Sequence, residues 1–259
     1  MVKIIAVTNQ KGGVGKTTTS VNLSAALAMT KKQVLLIDLD PQGNATMGSG
    51  IDKNQLAVNL NDLLLKEASH LEVIKETAAG YDILPANGDL TISELTLLQT
   101  ENREYRLRDI LVPFKANYEF IIIDCPPTLN TLTVNALVAA DSVIIPMQCE
   151  YYALEGLTAL LDTIQKITVS VNPELTIEGL LRTMYDSRNR LAVDVSEQLL
   201  EHFGDKVFRT VIPRNVRLAE APSHGLSAIQ YDQKSQGAFA YLTLAGEVIR
   251  RQKEKALCE

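Results

Sequence analysis

The chain has 259 residues, and its 25 Lys and Arg residues against 31 Asp and Glu residues give a formal net charge of -6. This acidic balance argues against a protein whose whole surface binds nucleic acid, so any contact with DNA must be a local patch. The length and the 46% hydrophobic content suit one globular domain, and no apolar run approaches the ~18 residues of a membrane span.

The first predicted elements are a buried strand, a glycine-rich loop and a helix. Residues 4–7 are apolar, as in a central parallel strand, and residues 16–29 carry apolar side chains at helical spacing. In the loop between them, glycines let backbone N–H groups close around an anion, while Lys16 supplies a charge and Thr17 a hydroxyl group for Mg²⁺. The predicted nucleotide contacts here are Gly12, Gly13, Val14, Gly15, Lys16, Thr17 and Thr18.

This loop departs from the common phosphate-loop pattern. The pattern G-x-x-x-x-G-K-[ST] requires glycine at position 10, where this chain has Gln10, and the chain adds a second lysine, Lys11. A strand, three glycines, a Lys-Thr pair and a helix in this order still favour a nucleotide site over an ordinary turn.

The rest of the chain alternates predicted strands and helices. Strands are predicted at residues 33–39, 81–85, 119–124, 142–147 and 175–185, with a weak strand at 207–212. Two short helices are predicted within 59–76, one or two within 90–111, and single helices at 130–140, 154–171, 192–203 and 233–251, whereas residues 42–50 read as a loop. We expect one α/β domain over residues 1–259, with a P-loop NTPase fold: a mostly parallel, twisted sheet with helices on both faces.

Three aspartates stand where predicted strands end. Asp38 and Asp40 follow the second strand, and Asp124 ends the strand EFIIID. Ligands of parallel sheets bind outside the carboxyl ends of the strands, so these groups are expected beside the phosphate loop. We expect Thr17 to bind Mg²⁺ directly, Asp124 to hold the metal through water and Asp38 to support it in the outer sphere. Lys16 would bridge phosphates, and Asp40 would orient the attacking water.

Four stretches carry a family resemblance. They are KGGVGKTTT with its extra Lys11, DLDPQGN from Asp38, IIIDCPP from Ile121 and TVIPRNVRLAEAPSHG from Thr210. Together they resemble the ParA-type partition ATPases, specifically the chromosomal Soj-like branch, over nearly the whole chain. The resemblance implies a deviant Walker-type ATPase in which two protomers sandwich two ATP molecules, with Lys11 reaching into the partner's site.

The resemblance also implies a cycle and its partners. The ATP-bound homodimer would bind double-stranded DNA without sequence preference, and slow hydrolysis, stimulated by a ParB-type centromere-binding protein, would release it. The protein would then be cytoplasmic and nucleoid-associated, with a chromosome or a plasmid as cargo. Residues 182–217 hold seven basic and five acidic residues, of which Arg188, Arg214 and Arg217 are the favoured DNA contacts. Adenine recognition is implied near Pro213 and Asn215.

Three other classes compete with this interpretation. A MinD-type ATPase would carry an amphipathic membrane helix, but the tail at residues 250–259 offers only Ala256, Leu257 and Cys258 as an apolar cluster. A nitrogenase-reductase-like carrier needs paired cluster-binding cysteines, a pattern that Cys125 and Cys149 do not fit. A ligase of the dethiobiotin-synthetase type would phosphorylate a small carboxylic substrate. The lack of paired cysteine spacing also favours a reduced, cytosolic setting.

Overall fold

The computed structural model describes residues 2–258, and the side chains of residues 2–254. The predicted apolar cluster Ala256–Cys258 therefore lies outside the described side chains. Among residues 2–258, no helix combines the length and apolarity needed to cross a bilayer.

A seven-stranded sheet forms the centre of the molecule. Its strands run in the spatial order β3-β4-β2-β5-β1-β6-β7, and every pairing is parallel except the antiparallel pair β3–β4. This arrangement confirms the predicted mostly parallel α/β sheet. The strands are β1 Lys3–Val7, β2 Val34–Asp38, β3 Lys75–Glu76, β4 Asp82–Leu84, β5 Phe120–Asp124, β6 Ser142–Gln148 and β7 Thr176–Thr183.

Twelve α-helices are present within residues 2–258, joined by short 3-10 turns. Helix α1 has the predicted bounds, whereas the region predicted as one or two helices between residues 90 and 111 contains two, α5 and α6. The helices are α1 Lys16–Met29, α2 Asn44–Gly48, α3 Leu60–Leu65, α4 His70–Val73, α5 Leu90–Leu97, α6 Arg106–Ile110, α7 Thr131–Ala139, α8 Ala153–Ser170, α9 Arg190–Phe203, α10 Val216–Glu220, α11 Ala228–Tyr231 and α12 Gln236–Cys258.

The sheet is buried on both faces, which explains its continuous apolar strands. In β1, Ile4 and Ala6 belong to one core with residues of α7, α8 and α9, while Ile5 and Val7 belong to a second core with residues of α1 and α12. Each fully buried Ile side chain contributes about 1.5–3 kcal/mol. Because both faces are covered, polar groups of the central strands reach solvent only at the strand ends.

The weak strand predicted at residues 207–212 is wrong. The segment contacts β7 through an isolated bridge from Val207 to Leu180 and through single bonds from the Phe208 and Ile212 amides, without forming a continuous strand ladder. Further along, the amides of Arg209 and Thr210 donate to the Glu247 carboxylate of α12 at 2.9 and 3.0 Å. A side-chain acceptor thus replaces the strand partner that these amides would otherwise need.

The loop predicted at residues 42–50 contains the short helix α2. Its N-cap, Gly43, has φ 61°, and a Cβ atom there would lie 2.6 Å from the carbonyl oxygen of Ala86, so only glycine fits. The glycine and asparagine content that predicts a loop therefore marks the start of a helix here. The helices predicted within residues 59–76 are wrong at the C-terminal end of that range, since residues 75–76 form the edge strand β3.

Candidate functional site

The phosphate loop, residues 10–17, connects β1 to α1. Gly13 and Gly15 adopt φ values of 74° and 86°, and Gly15 is the N-cap of α1. A Cβ atom at Gly13 would meet nothing within 4 Å, so its requirement for glycine is conformational rather than steric. The loop ends at a helix N-terminus, whose free N–H groups and dipole favour an anion.

Lys16 places a nearly buried charge behind this loop. Its residue is 7% exposed, and its Nζ donates to the backbone oxygen of Lys11 at 3.2 Å. Burial lowers the pKa of Lys16, and the nearby Asp124 carboxylate opposes this shift. A buried ammonium group bonded to a neutral carbonyl is well placed to bind an anion.

Asp124, at the end of β5, holds two hydroxyl groups of α1. Thr17 Oγ1 donates to Asp124 Oδ2 and Ser20 Oγ to Oδ1, both at 2.8 Å. With its proton directed at Asp124, the Thr17 hydroxyl keeps its lone pairs free for a metal ion. The structure therefore brings together the predicted direct ligand and the predicted outer carboxylate.

Asp38 and Asp40 lie at the end of β2, the strand next to β5. Asp38 is fully buried, and its Oδ2 accepts the Thr46 N–H at 2.7 Å and the Thr46 hydroxyl at 2.6 Å. Thr46 Oγ1 in turn accepts the Ala86 N–H at 2.9 Å. Asp38 thereby fixes α2 against the residues after β4, while the carboxylate of Asp40, which is 8% exposed, accepts the nearby Gln42 N–H at 2.9 Å.

The charges of this site are unbalanced, and this fits Mg²⁺. Burial, with the neighbouring Asp38 carboxylate, raises the pKa of Asp124 above its usual range, and burial also raises the pKa of Asp38. Within the described side chains, no group of three or more His, Cys, Asp or Glu residues could hold a metal ion by itself. Mg²⁺ commonly binds through one or two carboxylates plus substrate phosphates and waters, so Thr17 and Asp124 fit a metal shared with a nucleotide.

Lys11 has a different position from Lys16. Its Nζ lies 2.5 Å from Oε2 of Glu150, and both side chains are about half exposed, at 45% and 49%. Its backbone N–H donates to Asn9 Oδ1 at 3.0 Å. Lys11 therefore projects from the loop toward the residues after β6, with an exposed ion pair as its contact.

The residues proposed for DNA binding are exposed, and two of them have acidic partners in the same chain. Arg188 makes two bonds to Asp186, at 2.9 and 2.8 Å. Arg217 lies 2.8 Å from Glu220 and 3.3 Å from Asp232. Arg214 is also exposed. DNA contacts by Arg188 and Arg217 would require exchange of these surface ion pairs, which are individually weak.

The residues implied for adenine recognition have local structural roles. Asn215 accepts the Arg217 N–H at 3.0 Å as the N-cap of α10, and Pro213 forms an isolated bridge with Tyr185. A cavity of about 390 Å³ lies beside the phosphate loop, but neither residue lines it. Its walls are formed by Thr17, Thr18, Val21, Asn22, Asn44, Met47, Gly48, Pro222, Ser223 and Leu226.

Several residues of the site were missed by sequence reasoning. Ser20 could have been found, because it follows Thr17 by three residues and therefore lies on the same face of α1. Thr46, Gln148, Glu150 and Thr183 come from distant parts of the chain and carry no local motif. Only the fold brings them to the site.

Comparisons with known proteins agree with this geometry. A family model described as an AAA domain matches residues 2–177. The sporulation initiation inhibitor protein Soj of Bacillus subtilis is 55% identical over 96% of this chain and 98% of the relative. The chromosome partitioning protein ParA of Caulobacter vibrioides is 51% identical over 98% and 96%.

A solved structure is similar over the same length. The cobyrinic acid a,c-diamide synthase of Mycobacterium smegmatis, crystallised with an ATP analogue and magnesium, has a TM-score of 0.87 and 38% identity. The match covers 98% of this chain and 96% of that one. The resemblance to ParA- and Soj-type proteins in the sequence is thus confirmed.

Ser20→Ala should weaken the metal site without unfolding the chain. It removes one of the two hydroxyl donors that orient Asp124, and loss of such a supporting bond costs about tenfold in metal affinity. Binding of a fluorescent ATP analogue, titrated with Mg²⁺, should need about ten times more Mg²⁺ for half-saturation. Ser24→Ala is the control, since Ser24 Oγ donates to the Ser20 backbone oxygen and not to Asp124. An unchanged Mg²⁺ requirement would exclude a supporting role for Ser20.

Proposed function

Because this chain belongs to the Soj/ParA family of chromosome-partitioning ATPases, we propose that it moves DNA through a cycle of ATP-dependent dimerisation and hydrolysis. The positions of the two loop lysines carry the proposal. Lys16 is buried behind the loop, whereas the Lys11 side chain is 45% exposed and bonded to Glu150. One lysine serves the chain's own phosphate site, and the other is free to leave it.

ATP and Mg²⁺ are the cofactors, as the sequence predicts. The Mycobacterium smegmatis structure, 38% identical to this chain, holds an ATP analogue and magnesium. The glycine conformations of the phosphate loop, the Lys16 charge and the Thr17–Asp124 bond match this pair of ligands. When bound, Mg²⁺ would neutralise negative charge on the phosphates.

Three residues of this chain have separate roles in the proposed hydrolysis. Thr17 directs its proton to Asp124 and offers oxygen lone pairs outward, while Lys16 supplies a positive charge from the low-dielectric interior. Asp40 has one carboxylate oxygen engaged by the Gln42 amide, which leaves the other to accept a hydrogen bond from water. In this proposal Asp40 orients the attacking water.

The dimer would be completed by Lys11. A cation from a second protomer would stabilise charge that develops on the γ-phosphate, a role that positioned basic side chains fill in phosphoryl transfer. To reach a partner, Lys11 must leave Glu150. This costs little, because exposed ion pairs contribute about 0–1 kcal/mol. ATP would then join two copies of this chain, and hydrolysis would release them.

DNA binding and its control complete the proposed cycle. Arg188, Arg214 and Arg217 are exposed on a chain of net charge -6, so DNA would contact a local basic surface that dimerisation doubles. A ParB-type centromere-binding protein would stimulate slow hydrolysis, and the protein would then leave the nucleoid for the cytoplasm. ATP hydrolysis without any small carboxylic substrate, and its stimulation by DNA plus this partner, would support partition. A strict need for a carboxylate would instead indicate a ligase.

Asp40→Ala should stop hydrolysis but spare ATP binding. Loss of the water-orienting carboxylate should lower kcat by at least about 100-fold, and the DNA-bound dimer should persist. Single-turnover phosphate release measures hydrolysis, and light scattering measures the persistence of the DNA-bound dimer. Asp52→Ala, which removes an exposed carboxylate that caps a 3-10 turn, should keep normal turnover. Wild-type turnover in Asp40→Ala would remove Asp40 from the mechanism.

Glu150→Gln should promote ATP-dependent dimerisation. The change removes the charge that holds Lys11 in its own chain, so the ATP concentration for half-maximal dimerisation should fall up to about fivefold. Sedimentation velocity at a series of ATP concentrations measures the fraction of dimer. Glu155→Gln, at an exposed position in the first turn of α8, should match the wild type. A higher ATP requirement would show that Glu150 supports dimerisation instead.

Arg217→Glu should abolish DNA retention while dimerisation stays normal. The reversal places a negative charge beside Glu220 and Asp232 on the proposed DNA surface. On a DNA column, the variant should not be retained at any salt concentration that retains the wild type. Arg108→Glu, an equal charge change on α6, is the control. Equal retention of the two variants would refute this surface assignment.

A further inference from the structure

Two side chains at the ends of β6 and β7 donate hydrogen bonds to backbone carbonyls of the phosphate loop. Gln148 Nε2 donates to the Gly13 carbonyl at 3.1 Å, and Thr183 Oγ1 donates to the Val14 carbonyl at 2.8 Å. Gln148 and Thr183 are paired with each other in the β6–β7 register, so neighbouring residues of the sheet bond consecutive carbonyls of the loop. We propose that this carbonyl clamp, Gln148 and Thr183, positions the amide groups that bind nucleotide phosphates.

The clamp determines the direction of two amide groups. In a planar trans peptide the carbonyl and the following N–H point to opposite sides. Holding the carbonyls of Gly13 and Val14 toward β6 and β7 therefore turns the N–H groups of Val14 and Gly15 away from those strands. These are two of the donors expected to face the phosphates.

The part of the loop around Gly13 and Gly15 needs such support because glycine restricts its own backbone least. Gly13 and Gly15 occupy positive φ values, and glycine has the largest conformational freedom of any residue. Two fixed carbonyls remove much of that freedom before a ligand arrives, which lowers the entropy lost on binding. The clamp thus preorganises the binding conformation.

Thr183 is the stronger member of the pair. It is 2% exposed, and Val14 is 1% exposed, so no water is at hand to replace a lost hydroxyl donor. Its Cβ and Cγ2 would also lie 3.9 Å from a Cβ atom at Gly15, which shows how closely β7 underlies the loop. Gln148 is half-buried, and water can partly replace its bond.

The clamp should affect binding more than the chemical step. It lies on the β6–β7 side of β1, whereas Asp38 and Asp124 end β2 and β5 on the other side. The inference rests on the nucleotide binding of the proposed function and not on dimerisation or DNA. Binding of MgADP to the chain alone tests the inference without dimerisation and without DNA.

Thr183→Val, which keeps the shape and removes the hydroxyl, should weaken MgADP binding about three- to tenfold in calorimetry. Thr183→Ser keeps the donor and should stay within about twofold of the wild type. Gln148→Met should weaken binding about two- to threefold, because its bond is more exposed. The kcat of ATP hydrolysis at saturating ATP should be unchanged, so the loss appears in KM.

Two results with the Thr183 variants would overturn the proposal. One is wild-type MgADP affinity in Thr183→Val with an unchanged melting temperature, and the other is an equal loss of MgADP affinity in Thr183→Ser. If Thr183→Val does not fold, Gln148→Met decides, and wild-type affinity in that variant overturns the proposal. If the wild-type chain itself binds no MgADP, the proposed function fails rather than the clamp alone.

Discussion

The structure of the site depends on the burial of the Asp124 carboxylate at the centre of the sheet. It meets Thr17 and Ser20 on one side and shares the buried strand ends with Asp38, while Lys16 supplies the nearby positive charge. A carboxylate removed from water must be paired or hydrogen-bonded. Here the protein pairs it incompletely, so its pKa lies above the usual range and its charged form gains from a divalent cation that arrives with the phosphates.

The loop after β2 is attached on two sides. On one side, the Asp38–Thr46–Ala86 hydrogen bonds tie α2 to the end of β4. On the other, Gly50 approaches Gly225 so closely that a Cβ atom at Gly225 would lie 2.9 Å from the Gly50 Cα. The segment that carries Asp40 is therefore packed against the loop that follows α10, and neither glycine accepts a side chain without rearrangement.

Much of the fold and the phosphate site could be predicted because the signals are local. Apolar strands, helical spacing in α1 and the Gly-Lys-Thr sequence each arise from neighbouring residues. The failures have long-range causes. Near Thr210, the Glu247 carboxylate of α12 accepts the backbone amide that a neighbouring strand would otherwise bind. Thr183 donates to the Val14 carbonyl across 169 residues of sequence, and no spacing in the sequence predicts that bond.

The covered edges of the sheet limit how copies of this chain can associate. At one edge, β3 is only two residues long and runs antiparallel to β4. At the other, the Phe208 and Ile212 amides donate to the Leu180 and Arg182 carbonyls of β7, which occupies hydrogen-bonding groups of that strand. Open strand edges invite uncontrolled addition of further chains and lead to aggregation. With these edges protected, copies of this chain can come together at high local concentration without nucleating fibrils.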